Sequence, residues 1–417
     1  MKKQKMNKGI TLIALILTII VLLILAVVAI NAVKGDGIIA HAKNARKDYT
    51  EAQADEQAIL QGYLGQLDES QLASKKVKDN LNKVLSTGGN ITLEDDFGNK
   101  IKVPAGFKII TKTDTENTNL NYTADDIDVT KGIVVEDEEG NQFVWIPVGT
   151  IYTNAEKTAS KTITLGRYVF KSDGTIDTEL SQSTPEGQLK TSSLASNYYT
   201  EGKKNETTEN AHAKDIEEFV SKTNASGGYY IGRYEARVEN YNASKISTFN
   251  SDKSEDWTRY VAESGKNLKL VSKANSQVWN YVTQKKASSL CQSMYTNKPY
   301  DSDLVNSYAW DTAIIFFQEF GNNSTYARKG SVNNSFSNTG TSGTSYTGTE
   351  KDVICNVYDM ASNCYEWSTE TYSISDSPCT RRGGSWSGAG TSTSFRGYGN
   401  GTASADTFYS FRPLLYM

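Results

Sequence analysis

Histidine is almost missing from this 417-residue chain, which holds only His41 and His212, far apart in sequence. A histidine-built zinc centre or a Ser/His/Asp triad therefore has almost no material, and much hydrolytic chemistry is excluded. Cysteine is scarce: Cys291, Cys355, Cys364 and Cys379 all fall in the last third, at spacings that match no zinc pattern. Outside the cell they suit one or two disulfides, with three connectivities open, while free thiols packed as small hydrophobes remain the other reading. Charge of one sign is also lacking. With a net charge of −4 and interspersed Lys, Arg, Asp and Glu, no sequence-wide basic surface offers itself to nucleic acid. Only 6 prolines occur, and the chain is instead rich in Tyr, Ser, Thr, Asn and Gly, which suits short strands joined by long polar loops. The length calls for two or three units, one of them with a sizeable core.

One long hydrophobic run does occur. Lys2, Lys3, Lys5 and Lys8 precede an uncharged stretch that opens at Ile10 and closes at Ile30. As a helix rising about 1.5 Å per residue it crosses roughly 30 Å of hydrocarbon, and the lysines hold its N-terminal end in the cytoplasm. A secretory signal peptide has a shorter apolar region and a small-residue cleavage site. Lys8-Gly9-Ile10-Thr11-Leu12-Ile13 resembles the prepilin-type N-terminal methylation motif of type IV prepilins and pseudopilins. The resemblance implies cleavage by a prepilin peptidase between Gly9 and Ile10 and an association with other pilins. Ala14 stands where most of that family carries a glutamate that assists filament assembly. This departure points to a minor or tip pilin, or to a helix used as an anchor; an ordinary uncleaved transmembrane anchor is the alternative. Beyond Gly35 and Gly37, Ala42, Ala45, Tyr49, Ala52, Ile59 and Tyr63 recur at three- and four-residue steps, as in a stalk helix continuing outward.

Residues 68–131 read as a polar linker or small subdomain with a short helix over 75–85 and strand-like pieces over 101–110. From Gly132 the pattern sharpens. Ile133-Val134-Val135 and Phe143-Val144-Trp145-Ile146-Pro147-Val148 flank Asp137-Glu138-Glu139-Gly140-Asn141, the composition of a β-hairpin. Gly227-Gly228-Tyr229-Tyr230-Ile231-Gly232-Arg233-Tyr234-Glu235-Ala236 predicts a third strand, and helices are expected near 276–295 and 307–320. A low-complexity tract of Asn, Ser, Gly and Thr over about 321–349 reads as a surface loop or insertion.

The C-terminal segment carries three ordered motifs: Asn356-Val357-Tyr358-Asp359-Met360-Ala361-Ser362-Asn363-Cys364-Tyr365-Glu366-Trp367, then Arg382-Gly383-Gly384-Ser385-Trp386, then Phe411-Arg412-Pro413. With the strands at 143–149 and 230–235 they resemble the formylglycine-generating enzyme, or sulfatase-modifying factor, family over residues 132–417. The resemblance implies an α+β, C-type-lectin-like fold with much irregular structure, its C-terminal strand beside the early ones. It also implies calcium at Asp359, Ser362, Cys364 and Glu366, two carboxylates and two carbonyls, which is hard-oxygen chemistry; pairing of those carboxylates with Arg381, Arg382 or backbone N–H groups is the alternative. Gly383 and Gly384 permit positive φ or close backbone approach beside a packed tryptophan, and a buried Arg412 needs carboxylate or carbonyl partners.

The resembled family oxidises a substrate cysteine with two copper-binding cysteines a few residues past the Gly-Gly-Ser-aromatic motif. Here that stretch, Ser387-Gly388-Ala389-Gly390-Thr391-Ser392-Thr393-Ser394, has none, so copper and catalysis are not expected. Its mixture of small polar residues and a few aromatics has the composition of a binding surface. The expected ligand-binding residues are Trp386, Ser387, Thr391, Thr393, Phe395, Arg396, Tyr398, Asn400, Thr402, Asp406 and Phe408. The arrangement also looks like the variable proteins of diversity-generating retroelements, which place a hypervariable surface between a Gly-Gly-Ser-Trp motif and a terminal Phe-Arg-Pro.

The sequence thus suggests a leader (1–9), a transmembrane and stalk helix (10–67), the linker (68–131) and the lectin-like domain (132–417). The expected function is non-catalytic surface display or adhesion from the cell membrane or a pilus, with an extracellular C-terminal domain that binds an external protein or glycan. A structural minor pilin without ligand and an altered oxidase are the rival classes.

Overall fold

The computed structural model describes residues 16–27, 89–111, 120, 127–181, 187–190, 192, 196–201, 213–239, 268–275, 277–328, 346–348, 352–373, 378–386, 392–399 and 406–417. The chain divides into two units, Met1–Glu69 and Ser70–Met417. In the first, residues 16–27 form helix α1, whose apolar side chains are all exposed, from Val21 at 47% to Leu22 at 64%. Among the described residues no helix is long and apolar enough to cross a membrane. The rest of the run between Ile10 and Ile30, the Gly9–Ile10 junction, the stalk pattern and the helix expected over 75–85 lie outside the described residues.

The second unit is α+β. Its main sheet runs, antiparallel throughout, in the order β12 (Asp301–Leu304), β19 (Pro413–Tyr416), β9 (Gly228–Gly232), β5 (Gln142–Pro147), β4 (Val134–Asp137) and β3 (Phe107–Ile109). β4 (Val134–Asp137) and β5 (Gln142–Pro147) form the expected hairpin. Asp137 accepts backbone N–H bonds from Glu139 and Asn141, while Gly140 takes φ 84°. β5 is buried at every residue and pairs with β9 (Gly228–Gly232), so both read as continuous apolar runs rather than alternating ones. β19 (Pro413–Tyr416) lies between β9 and β12 (Asp301–Leu304), which places the C-terminal strand beside the early ones.

The linker reading does not hold for its later part. β1 (Ile91–Glu94) and β2 (Lys100–Val103) form a hairpin, and β3 (Phe107–Ile109) is the edge strand of the main sheet. Ile101 and Phe107 are buried in the same core as Val134 and Phe143.

Among the described residues three α-helices belong to this unit. α2 (Ile216–Ser226) is capped by Asp215 and ends at Gly227 with φ 76°. α3 (Gln284–Ser293) starts later than the sequence suggested, because Thr283 caps it and Tyr281 just before has φ 56°. α4 (Ser307–Phe320) spans the expected residues, capped by the Asn306 side chain on the N–H of Ala309. Ala309, Trp310, Ala313, Ile314, Phe316 and Phe317 are buried in the main core.

A second sheet runs β17 (Arg396–Gly399), β16 (Cys379–Arg382), β15 (Tyr365–Tyr372), β18 (Tyr409–Phe411), with β8 (Tyr199–Glu201) on the far end of β15. Of the described C-terminal candidates it contains Glu366, Arg396 and Tyr398, while Phe395 and Phe408 immediately precede β17 and β18.

Candidate functional site

The glycine motif is built by close approach. Gly383 has φ +78°, and a Cβ there would sit 2.4 Å from the Met360 carbonyl oxygen; at Gly384 it would sit 1.8 Å from that of Ala361. The packed tryptophan beside Gly383 is Trp310 of α4, whose indole N–H donates to the Thr393 carbonyl at 2.9 Å. Opposite lies the turn of the preceding motif, where Cys355, Asn356, Asp359 and Asn363 all have positive φ, a region that Asn and Asp tolerate best. Asn356 pins this turn by donating to the carbonyls of Lys131 and Gly132.

Arg412 is fully buried and finds both kinds of partner. Its guanidinium meets the two Glu366 oxygens, at 3.0 Å and 2.6 Å, and the carbonyls of Gly232 and Tyr358 at 2.8 and 2.7 Å. Glu366 is thus held by Arg412 rather than by Arg381 or Arg382. Ser362 Oγ donates to Asp352, and the Cys364 N–H donates to Glu235. Burial, then Asp352, pushes the Asp359 carboxyl well above the usual range; burial, then Glu366 and Asp359, does the same to Glu235. Of Asp359, Ser362, Cys364 and Glu366, expected around calcium, the Glu366 carboxylate is engaged at both oxygens by Arg412. The described residues hold no group of three or more His, Cys, Asp or Glu that could hold a metal ion.

All four cysteines are buried and free, which resolves the disulfide alternatives in favour of thiols packed as small hydrophobes. Burial raises the Cys291 and Cys364 thiols well above their ordinary value, so neither is an activated nucleophile.

The second sheet separates two environments by strand alternation. On one face Arg382 pairs across from Arg396, and both meet α4. Arg396 donates to Glu370 and Asp311, each at 2.7 Å; Arg382 also reaches Asp311, and Arg167 reaches Glu370. These side chains are 7% exposed or less. Burial opposes the Glu370 charge, but Arg396, Arg167 and Arg382 outweigh it and draw the carboxyl down to about 2. Arg396, expected at the binding surface, is therefore a scaffold residue. Thr393, fully buried, and Asp406, 6% exposed, are likewise interior.

At the end of that face Tyr398 stands 51% exposed and stacks on Tyr372, with centroids 4.8 Å apart and planes 6° from parallel. Tyr372 in turn contacts Tyr199 at 4.6 Å.

On the opposite face the half-buried Phe395 and Phe408 flank Tyr365, with ring centroids 5.3 and 6.2 Å away. Between these aromatics lies Arg381, its guanidinium 4.9 Å from the Tyr365 ring and 5.2 Å from the Tyr409 ring. Sequence reasoning missed Arg381, Tyr365 and Tyr409 as a unit. Arg381 was legible only as a charge next to Arg382; strand alternation sends the two to opposite faces.

Of the expected ligand-binding residues, the structure brings Phe395 and Phe408 together, sets Tyr398 on a separate aromatic stack, and half-buries Trp386 with its backbone N–H on the Asn363 carbonyl. Ser387, Thr391, Asn400 and Thr402 lie outside the described residues.

No family model and no curated protein matches the chain. Among solved structures, that of PvdO from Pseudomonas aeruginosa matches with a TM-score of 0.34 and 12% identity, over 68% of this chain and 98% of that one. The crystal structure of CarF matches with a TM-score of 0.28 and 15% identity, over 45% of this chain and 86% of that one. Likenesses this distant establish neither fold family nor activity.

Proposed function

We propose that the chain is a non-catalytic surface display protein, anchored by its pilin-like N-terminal segment, whose lectin-like C-terminal domain binds an external protein or glycan. The observation that carries this reading is the separation of scaffold from rim in the second sheet. Arg396, Arg382, Asp311 and Glu370 are closed on one another in the interior, while Phe395, Tyr398 and Phe408 from the same window are exposed or half-buried aromatics. Rigid aromatics on a fixed scaffold supply contact area at low entropic cost, as binding surfaces require. The same separation suits a retroelement-diversified surface, because rim side chains can change without disturbing the ionic interior.

The test uses cells expressing the full chain, either wild type or with Phe395→Ser, Tyr398→Ser and Phe408→Ser together. Both are compared for attachment to immobilised extracellular proteins and to a glycan array. Saturable attachment by the wild type, lost in the triple variant at equal surface amount, is the expected outcome. Attachment that is absent in the wild type, or equal in the two, would overturn the reading and favour a structural minor pilin.

A further inference from the structure

Arg381 differs from the arginines behind it. Arg167, Arg382, Arg396 and Arg412 each meet a carboxylate, whereas among the described residues no carboxylate pairs with Arg381. Its polar contact is an N–H donated to the Tyr409 hydroxyl oxygen. Among the described residues that hydroxyl has no acceptor for its own hydrogen. The Arg381 Nε is buried without a partner, while the side chain as a whole is only half-buried.

The position is built rather than incidental. Gly397 on the neighbouring strand lies opposite Arg381, and a Cβ there would come within 2.7 Å of the Phe395 ring and 3.1 Å of Arg381 Nε. A side chain at 397 would thus displace both. The Tyr365 and Tyr409 rings hold the guanidinium at 4.9 and 5.2 Å from their centroids, which leaves less side-chain entropy to lose when a ligand binds. The nearest carboxylate in this region, Asp406, acts on the Tyr409 hydroxyl and makes no ion pair with Arg381 among the described residues.

We propose that Arg381, stacked between Tyr365 and Tyr409 and flanked by Phe395 and Phe408, binds a carboxylate presented by an acidic, otherwise apolar segment of a partner protein. This inference rests on the display reading and names the chemistry of its ligand. The carboxylate takes free Arg381 N–H groups and the Tyr409 O–H, while the ligand's flanking apolar side chains meet Phe395 and Phe408. A cation among aromatics is the composition of a protein-binding hot spot.

The experiment measures binding of the full chain in detergent to a library of capped peptides with Glu or Asp centred between apolar residues, and to its twin with Gln or Asn at the centre. A panel of uronic-acid oligosaccharides is measured alongside. The acidic peptides are expected to bind roughly tenfold or more tightly than their amide twins, the scale of a charge-assisted hydrogen bond. Arg381→Gln abolishes that preference; Arg381→Lys, which keeps the charge but not the flat stacked fork, retains part of it. Lys171→Gln, which removes an exposed charge, leaves it unchanged. If Arg381→Gln fails to fold, as judged by its melting temperature, the Lys variant decides. No preference between the twins, or one that survives in a folded Arg381→Gln, overturns the proposal. Binding of the uronic-acid panel alone overturns the protein assignment and moves the anion to a glycan. A chain that binds neither set yet still needs its rim for attachment refutes this inference only; one whose attachment ignores the rim refutes the display reading with it.

Discussion

Replacing Glu370 by Gln removes the charge on which Arg167, Arg382 and Arg396 converge. In the folded chain that carboxyl titrates at about 2 against an ordinary 4.5. A fall of about 2.5 pH units, at 1.36 kcal/mol each, corresponds to about 3 kcal/mol of stability at neutral pH. The sign follows from the depressed value: the contribution is fully present above about pH 4.5 and is lost as the pH falls toward 2. The substitution also leaves Arg382 and Arg396 sharing Asp311, and Arg167 beside a neutral amide, a mechanism that ordinarily costs about 3 to 5 kcal/mol. Denaturant melts of the full chain in detergent should show Glu370→Gln about 3 kcal/mol less stable at pH 7, with the difference shrinking as the pH drops from 4.5. A loss below 1 kcal/mol at pH 7, or an undiminished difference at pH 3, would refute the assignment of Arg396 to the scaffold.

Gly384→Ala places a methyl group 1.8 Å from the Ala361 carbonyl oxygen and should abolish accumulation of folded protein, whereas Gly106→Ala, with no atom within 4 Å of the new Cβ, should cost only about 1 kcal/mol for its positive φ; expression followed by a thermal melt compares them. All four thiols should resist alkylation in the native chain and all four should react once it is denatured without reductant; fewer than four would reveal a disulfide. Arg412→Met removes the cation facing Glu366, Glu235 and Asp359, so these carboxyls titrate still higher when folded. The folded state then binds more protons than the unfolded one, and the stability loss, about 3 to 5 kcal/mol, should grow as the pH rises from 5 to 8; a pH-independent loss would contradict the cluster.

The parts of the fold that could be read from sequence are those where local chemistry and burial agree. The β4–β5 hairpin was legible because its Asp137–Asn141 turn interrupts two apolar strands, and α4 because Asn306 caps a run with six buried apolar residues. The partners of Arg412 followed from the cost of burying an unpaired guanidinium. α2 was illegible because it buries only Ile216, Phe219 and Thr223 and is otherwise polar. β15 was hidden for the opposite reason. Its Glu370 looks like a surface charge and its Glu366 like a calcium ligand, yet both are fully buried against arginines that come from 12 to 203 residues away. The same non-local pairing misled the reading of Arg396. It sits in a window whose composition resembles a binding loop, but register with Arg382 turns it inward. Arg381 was expected only as a partner for the carboxylates of the preceding motif, because the rings around it are brought together only by the β15–β16 and β15–β18 pairings.

The separation of rim from scaffold is tested most directly by saturation mutagenesis of residues 381–412 in the full chain on cells, sorted first for surface expression and then for attachment. Substitutions at Phe395, Tyr398 and Phe408 should pass the first sort and fail the second, while those at Gly383, Gly384, Arg396 and Arg412 should fail the first. Rim substitutions that fail surface expression, or that pass both sorts, would contradict a binding surface carried on an independent scaffold.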